Sequence, residues 1–147
     1  MRLMSYISFF NGKKRPDEDG NIPIYGGNGI LGYCGRSNMR AGIIIGRVGA
    51  YCGSVFLSEK PCWVSDNAIK AIVKEGNDEF FFYYLLKSLR LNERHIGTSQ
   101  PLITQDILNS IDVTVPDYDK QRTIGSILRI LDSKIETNKQ INENLAA

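Results

Sequence analysis

The residues able to act as nucleophiles or metal ligands are few. The chain has three cysteines, Cys34, Cys52 and Cys62, and one histidine, His95. Three thiols cannot all pair within one chain. No CxxC spacing occurs and the histidine is distant in sequence, so structural zinc and a disulfide framework are disfavoured. The thiols read as buried and reduced, the common state of cytosolic cysteine. A cysteine or histidine hydrolase is a weak alternative, because one histidine stands without a recognisable nucleophile elbow. The sequence has no GxxxxGK[ST] loop, no glycine-rich cofactor turn after a leading strand and no Asn-Pro-Pro-aromatic motif. Paired nuclease carboxylates followed by a Glu/Gln-x-Lys are not evident either. The expectation is a non-catalytic chain with no metal and no cofactor of its own.

What the chain does have is cations and polar side chains in turn-rich segments, the types that grip phosphates and read base edges. Lys13-Lys14-Arg15 sits between turn signals. The competing reading is a solvated loop neutralised by Asp17, Glu18 and Asp19. Arg36 and Arg40 are further cations of the same half. In Tyr25-Gly26-Gly27-Asn28-Gly29 the glycines let backbone approach a ligand, and Asn28 can bond adenine with two hydrogen bonds. The same residues also make an ordinary hairpin turn. Arg47, between Gly46 and Gly49, can fork onto guanine or clamp a phosphate. It can equally pair with a carboxylate such as Asp66. Arg90, Arg94, His95, Thr98, Ser99 and Gln100 run from a helix end into a turn. The arginines there either neutralise phosphates or complement the helix dipole. Tyr51 and Trp63 can stack on a base, although most aromatics of this kind are core.

These residues need a scaffold, and the pattern predicts an α+β chain. It has 147 residues, 42% of them hydrophobic and 23% charged, which is the range of one ordinary globular domain. Net charge is +2. Residues 1–60 carry eight Lys/Arg against four Asp/Glu, and the remainder ten against twelve, which permits a basic face on the first half. Met1 to Gly20 reads as a short apolar start and a charged loop. Ten of the fourteen glycines fall between Gly20 and Gly53, separating short β-branched runs. That predicts a compact, curved sheet from Asn21 to Val73. Asp78 to Arg90 reads as a helix with Phe82, Leu85, Leu86 and Leu89 on one face. Thr104 caps a short helix. Ile111 to Val115 alternates as a strand does, and Pro116 ends it.

From Asp117 to Ala147 the pattern is one long helix. Ile124, Leu128, Leu131, Ile135, Asn138, Asn142 and Leu145 follow four-three spacing, a coiled-coil-type seam. Asparagine in a seam costs stability and fixes register or partner number. The helical pattern runs to Ala147 without a glycine cap, so the expectation is a partner helix or a longer parent chain. No apolar run is long enough to span a bilayer, and no signal peptide is evident, so a cytoplasmic address with no membrane follows by default.

Taken in order, these segments are familiar. Residues 24–33 with their Tyr25-Gly26-Gly27-Asn28-Gly29 core resemble the opening of a target recognition domain from the specificity subunit of type I restriction-modification systems. Ile43 to Gly53, Trp63-Val64-Ser65-Asp66-Asn67-Ala68, and Gly97-Thr98-Ser99-Gln100-Pro101-Leu102 fit the same pattern. Gln121 to Asn144, with Leu131-Asp132-Ser133-Lys134-Ile135, is similar to the family's helical region. Each motif alone is weak; their shared order over nearly the whole chain is what carries the resemblance.

The resemblance implies a compact recognition domain over residues 1–116 and a helical spacer or pairing region over 117–147. Full subunits of the family have two of each, so this chain resembles a half-subunit or a piece of a full one. The implied function is to read one half of a bipartite target in double-stranded DNA. The implied contacts are Lys13, Lys14, Arg15, Tyr25, Gly26, Asn28, Arg36, Arg47, Tyr51, Arg94, His95, Thr98, Ser99 and Gln100. Methyltransferase subunits would dock on it, a restriction subunit could join, and a homodimer would form through the helix. S-adenosylmethionine, ATP and Mg would belong to those partners. A different class of reading is an interaction protein that pairs through its helix and does not read DNA.

Overall fold

The computed structural model describes residues 1–146. Seven strands form two sheets: β1 (Ile7–Asn11), β2 (Ile22–Gly26), β3 (Gly29–Cys34), β4 (Gly42–Gly46), β5 (Val55–Ser58), β6 (Trp63–Val64) and β7 (Ala68–Val73). The larger sheet has the order β1-β7-β4-β5 and is antiparallel throughout. The smaller has the order β3-β2-β6, with β6 parallel to β2. Among the described residues three α-helices accompany the sheets: α1 (Glu79–Ser88), α2 (Gln105–Ser110) and α3 (Tyr118–Ala146). The α+β architecture with a long C-terminal helix is the one the sequence predicts.

The layers follow from which faces are apolar. Strand β4, Gly-Ile-Ile-Ile-Gly, is buried at all five positions, as a strand covered on both faces must be. Ile43 and Ile45 point to the helical side, joining Phe81, Phe82, Leu86, Ile69 and Leu108 in the main core. Ile44 points the other way, into a second core with Tyr25, Cys62, Val64 and Ala68 beneath the smaller sheet. A register shift between Ile24 and Tyr25 bends the β2–β3 hairpin, and bulges of this kind supply the predicted curvature.

Two expectations about the chain's ends are corrected. The start is not merely apolar: Ile7–Asn11 is an edge strand paired with β7, with Ile7 and Phe9 turned into the core. Its period is hard to read because Phe9 and Phe10 are adjacent and only one is buried. Residues 111–115 do alternate, with Ile111 and Val113 buried, yet they form no regular strand. They bond instead to the very start of the chain, through Leu3 N–H to the Ile111 carbonyl (2.7 Å) and Val113 N–H to the Met1 carbonyl (2.9 Å). One bridge, Arg2 to Asp112, is all that contact allows.

The helices are placed by their caps. Asp78 accepts from the Phe81 N–H at 2.9 Å and opens α1. Of the predicted apolar face, Phe82 and Leu86 are fully buried, while Leu85 and Leu89 are half-buried against the core. Thr104 accepts from the Ile107 N–H and caps α2 as expected. Asp117 accepts from the Lys120 N–H at the start of α3.

Candidate nucleic-acid interface

Four segments distant in sequence meet at one end of the sheets. The glycines of β4 and the β2–β3 turn make the approach, because a Cβ on Gly46 would lie 2.1 Å from the Gly27 carbonyl oxygen. Residues 46–49 then hold the others. The Arg47 N–H donates to the Asn67 carbonyl (2.9 Å), and the Arg47 carbonyl accepts from the Ile103 N–H (2.9 Å). The Gly49 N–H donates to the Pro101 carbonyl (2.9 Å). Ile96 and Leu102 exchange two backbone hydrogen bonds of 2.9 Å, closing 97–101 into a small loop. Thr98, Ser99 and Gln100 are exposed on it.

The exposed polar side chains here are therefore carried on backbone that is itself bonded to the sheet. Asn28 is exposed at the turn between β2 and β3. Tyr51 is 61% exposed. A rigid support of this kind is what precise base contacts need. Arg47 makes a backbone contact in place of the carboxylate pair with Asp66. Its Nε and Nη2 both donate to the Asp66 backbone carbonyl, at 2.8 and 2.6 Å, rather than to a carboxylate. It fastens the 65–67 segment to β4.

Tyr25 and Gly26 are corrections. Tyr25 is 8% exposed and packs in the second core beside Phe56, with ring centroids 6.1 Å apart. A Cβ on Gly26 would lie 2.0 Å from the Leu31 side chain. Both residues are buried, so they shape the turn that presents Asn28. Trp63 is also buried, with its Nε1–H donating to the Lys13 carbonyl at 2.8 Å.

The cations form a second group. Lys13, Lys14 and Arg15 are exposed on the loop after β1. The Lys13 N–H is bonded to the Val64 carbonyl, and the Arg15 guanidinium lies over Gly32 of β3. Arg36 is paired with Glu18 at 2.8 Å and sits 5.5 Å above the Trp63 ring, so part of its charge is already answered. Arg94 donates from Nε to the Leu89 carbonyl at 3.0 Å, completing the end of α1. The His95 Nδ1 lies 2.6 Å from the Asn92 carbonyl.

Asp66 and Asn67 lie outside the site residues the sequence points to; both are exposed, and their carbonyls anchor Arg47. Asn11 and Gln105, whose side chains meet beside Arg47, lie outside that set too. The Trp63–Ala68 motif was the available signal for the first pair; nothing local pointed to the second. The thiols have the opposite character. All three are buried, and burial pushes the Cys52 and Cys62 thiols up, away from the thiolate a nucleophile needs. Among the described residues no group of three His, Cys, Asp or Glu side chains is placed to hold a metal, and no helix is long and apolar enough to cross a membrane.

Comparison with known proteins gives a consistent result. The chain is 30% identical over 134 residues to the EcoprrI type I restriction enzyme specificity subunit of Escherichia coli, covering 90% of this chain and 33% of that protein. It is 29% identical over 129 residues to the MjaVIII specificity subunit of Methanocaldococcus jannaschii, covering 85% of this chain and 26% of that one. The chain thus spans about a third or less of these relatives. The fold matches the S subunit of the type I system from M. genitalium with a TM-score of 0.83 at 20% identity, over 93% of this chain and 39% of that one. It matches the HsdS subunit of Thermoanaerobacter tengcongensis with a TM-score of 0.69 at 17% identity, over 95% and 38%. The model of the type I restriction modification DNA specificity domain matches residues 9–147, and the chain belongs to that family.

Proposed function

We propose that this chain reads one half of a split target in double-stranded DNA for a type I restriction-modification complex. The observation that carries this reading is the meeting of the 27–28, 47–51, 66–67 and 97–102 segments on one bonded scaffold, with Asn28, Tyr51, Thr98, Ser99 and Gln100 exposed. Lys13, Lys14 and Arg15 supply phosphate contacts, which position without carrying sequence information. A single domain of this size makes few contacts and binds weakly alone, with much of its affinity coming from phosphates.

The helix carries the second part of the proposal. At 100° per residue, Ile124, Ile127, Ile130, Leu131, Ile135 and Ile141 fall within about 140° of arc. All six are exposed. That arc is wider than a two-helix seam, which favours a bundle in which this helix meets a second copy or a second recognition unit together with helices of methyltransferase subunits. A restriction subunit would join such a complex. S-adenosylmethionine, ATP and Mg belong to those subunits in this reading. The same arc is what favours the second reading, an interaction protein that pairs without reading DNA.

The test is selection of bound sequences from a random duplex library by the chain in complex with methyltransferase subunits. A recovered motif made of two short blocks at fixed separation is the expected result. Recovery of unselected sequence, with the complex intact, favours pairing without reading.

A further inference from the structure

The root of α3 is fastened to the domain by polar contacts rather than by the apolar residues around it. Gln121 is 2% exposed, although it lies on a helix whose remaining surface is largely solvated. Its Oε1 accepts from the Asp78 N–H (2.9 Å), and its Nε2 donates to the Pro116 carbonyl (2.9 Å) and the Asn77 side-chain oxygen (3.2 Å). One turn on, Gly125 is buried against α1, where a Cβ would lie 2.5 Å from Asp78 Oδ2 and 2.9 Å from the Phe81 nitrogen. A further turn on, Arg129 pairs with Glu59 and lies 4.8 Å above the Phe80 ring. Finally, the Tyr84 hydroxyl donates to Asp132 at 2.5 Å. From Gln121 to Asp132 this fastening covers about 16 Å of helix axis. Every residue from Ser133 to Ala146 is exposed, a projecting length of about 21 Å.

These contacts have a particular mechanical character. Apolar contacts tolerate sliding; the directional hydrogen bonds of the buried Gln121 do not. Gly125 adds an axial key. A shift of α3 by one residue would bring Ile124 or Ser126 to a place with no room for a Cβ. The joint therefore sets both direction and register of the helix.

We infer that Gln121 and Gly125, secured by the Tyr84–Asp132 hydrogen bond, are positioning residues that make domain and helix one rigid body and so fix the separation of the two half-targets. This rests on the split-target reading above. Each added base pair displaces the second half-target by about 3.4 Å and turns it by about 35° at 10–10.5 base pairs per turn. A stiff joint converts that displacement into lost affinity, and a loose one absorbs it.

The test pairs two readouts. Spin labels at Glu75→Cys and Lys139→Cys report the distance from domain to projecting helix by pulsed electron paramagnetic resonance. The three natural thiols are buried and do not compete for label. The native chain is expected to give one narrow distance. Gln121→Met is expected to broaden it and Gly125→Ala to shift it, while circular dichroism keeps the native helix content. On duplexes carrying the selected blocks, Gln121→Met is expected to keep its affinity for a single block. Its preference for the native separation over one lengthened by one base pair is expected to fall toward one. A native distance distribution in Gln121→Met overturns the inference, whatever happens to stability. If that variant does not fold, Tyr84→Phe, at an exposed pair, is scored on the same distance, and an unchanged width overturns it equally. Native distances that respond as expected, in a chain whose selected DNA shows no fixed separation, would leave the joint standing and remove the split-target reading instead.

Discussion

Lys14 and Gln100 are both exposed. Their replacement by alanine is expected to leave stability within about 0.5 kcal/mol, so binding changes can be read cleanly. The two should fail in different ways. Lys14→Ala should weaken binding evenly across sequences and reduce the salt slope by about one. Gln100→Ala should relax choice at one position, costing about 1–3 kcal/mol against the preferred base and little against others. Titrations by fluorescence anisotropy at several salt concentrations separate these outcomes. An even loss for Gln100→Ala would move that residue out of the reading set. Arg47 is a third case. With two donors on the Asp66 carbonyl, its replacement disturbs the 65–67 segment as well as any DNA contact, so its phenotype alone cannot assign a contact. Tyr25 and Gly26 show the same ambiguity more strongly, because both are interior.

At the scale of elements, α1 lies against α3, and a proton governs part of their contact. Burial, together with the Asp132 carboxylate on its hydroxyl, holds the Tyr84 pKa well above its ordinary 10.0. The neutral hydroxyl is the form that donates to Asp132. The unfolded chain loses this proton near 10.0 while the folded chain keeps it, so the unfolded state binds fewer protons in that window. Stability contributed by the pair is therefore intact at neutral pH and falls as pH rises above about 10. Thermal unfolding between pH 8 and pH 11 should show this decline in the native chain. Tyr84→Phe should start from a lower melting temperature and decline less steeply. Equal slopes in the two proteins would mean that the pair does not tie α3 down.

At the scale of the whole molecule, the unsettled surface is the helix arc. Exposed apolar patches larger than a few hundred Å² are uncommon on soluble monomers and mark contact sites. In the proposed bundle, the purified chain is expected to gain mass with concentration in sedimentation velocity. Replacing Ile127 and Leu131 by glutamate should return it to the mass of one chain without changing its helix content, because both side chains are exposed and away from α1. A single-chain mass at every concentration would mean that the helix waits for methyltransferase subunits before it pairs.

Much of this molecule was legible in the residue order, for a common physical reason. The sheet-forming segment from Ile22 to Val73, the helix opened at Asp78, the cap at Thr104 and the long final helix all rest on signals a few residues wide: β-branched runs between glycines, a cap side chain, a seven-residue period. What the order of residues could not reveal lies in contacts between distant segments. Strand β1 is defined by β7, some sixty residues away, and 111–115 by the first three residues of the chain. Tyr25 stands in a turn-rich segment whose resemblance implies a DNA contact; only the packing of one sheet on the other buries it. For the carboxylate partner that the sequence offers Arg47, the fold substitutes the Asp66 carbonyl. Gln121 stood in the sequence as one more polar residue on a helix, and Gly125 as a break in an apolar pattern. Their meaning comes from α1 lying against them, and which side of a helix is covered is decided by tertiary structure alone.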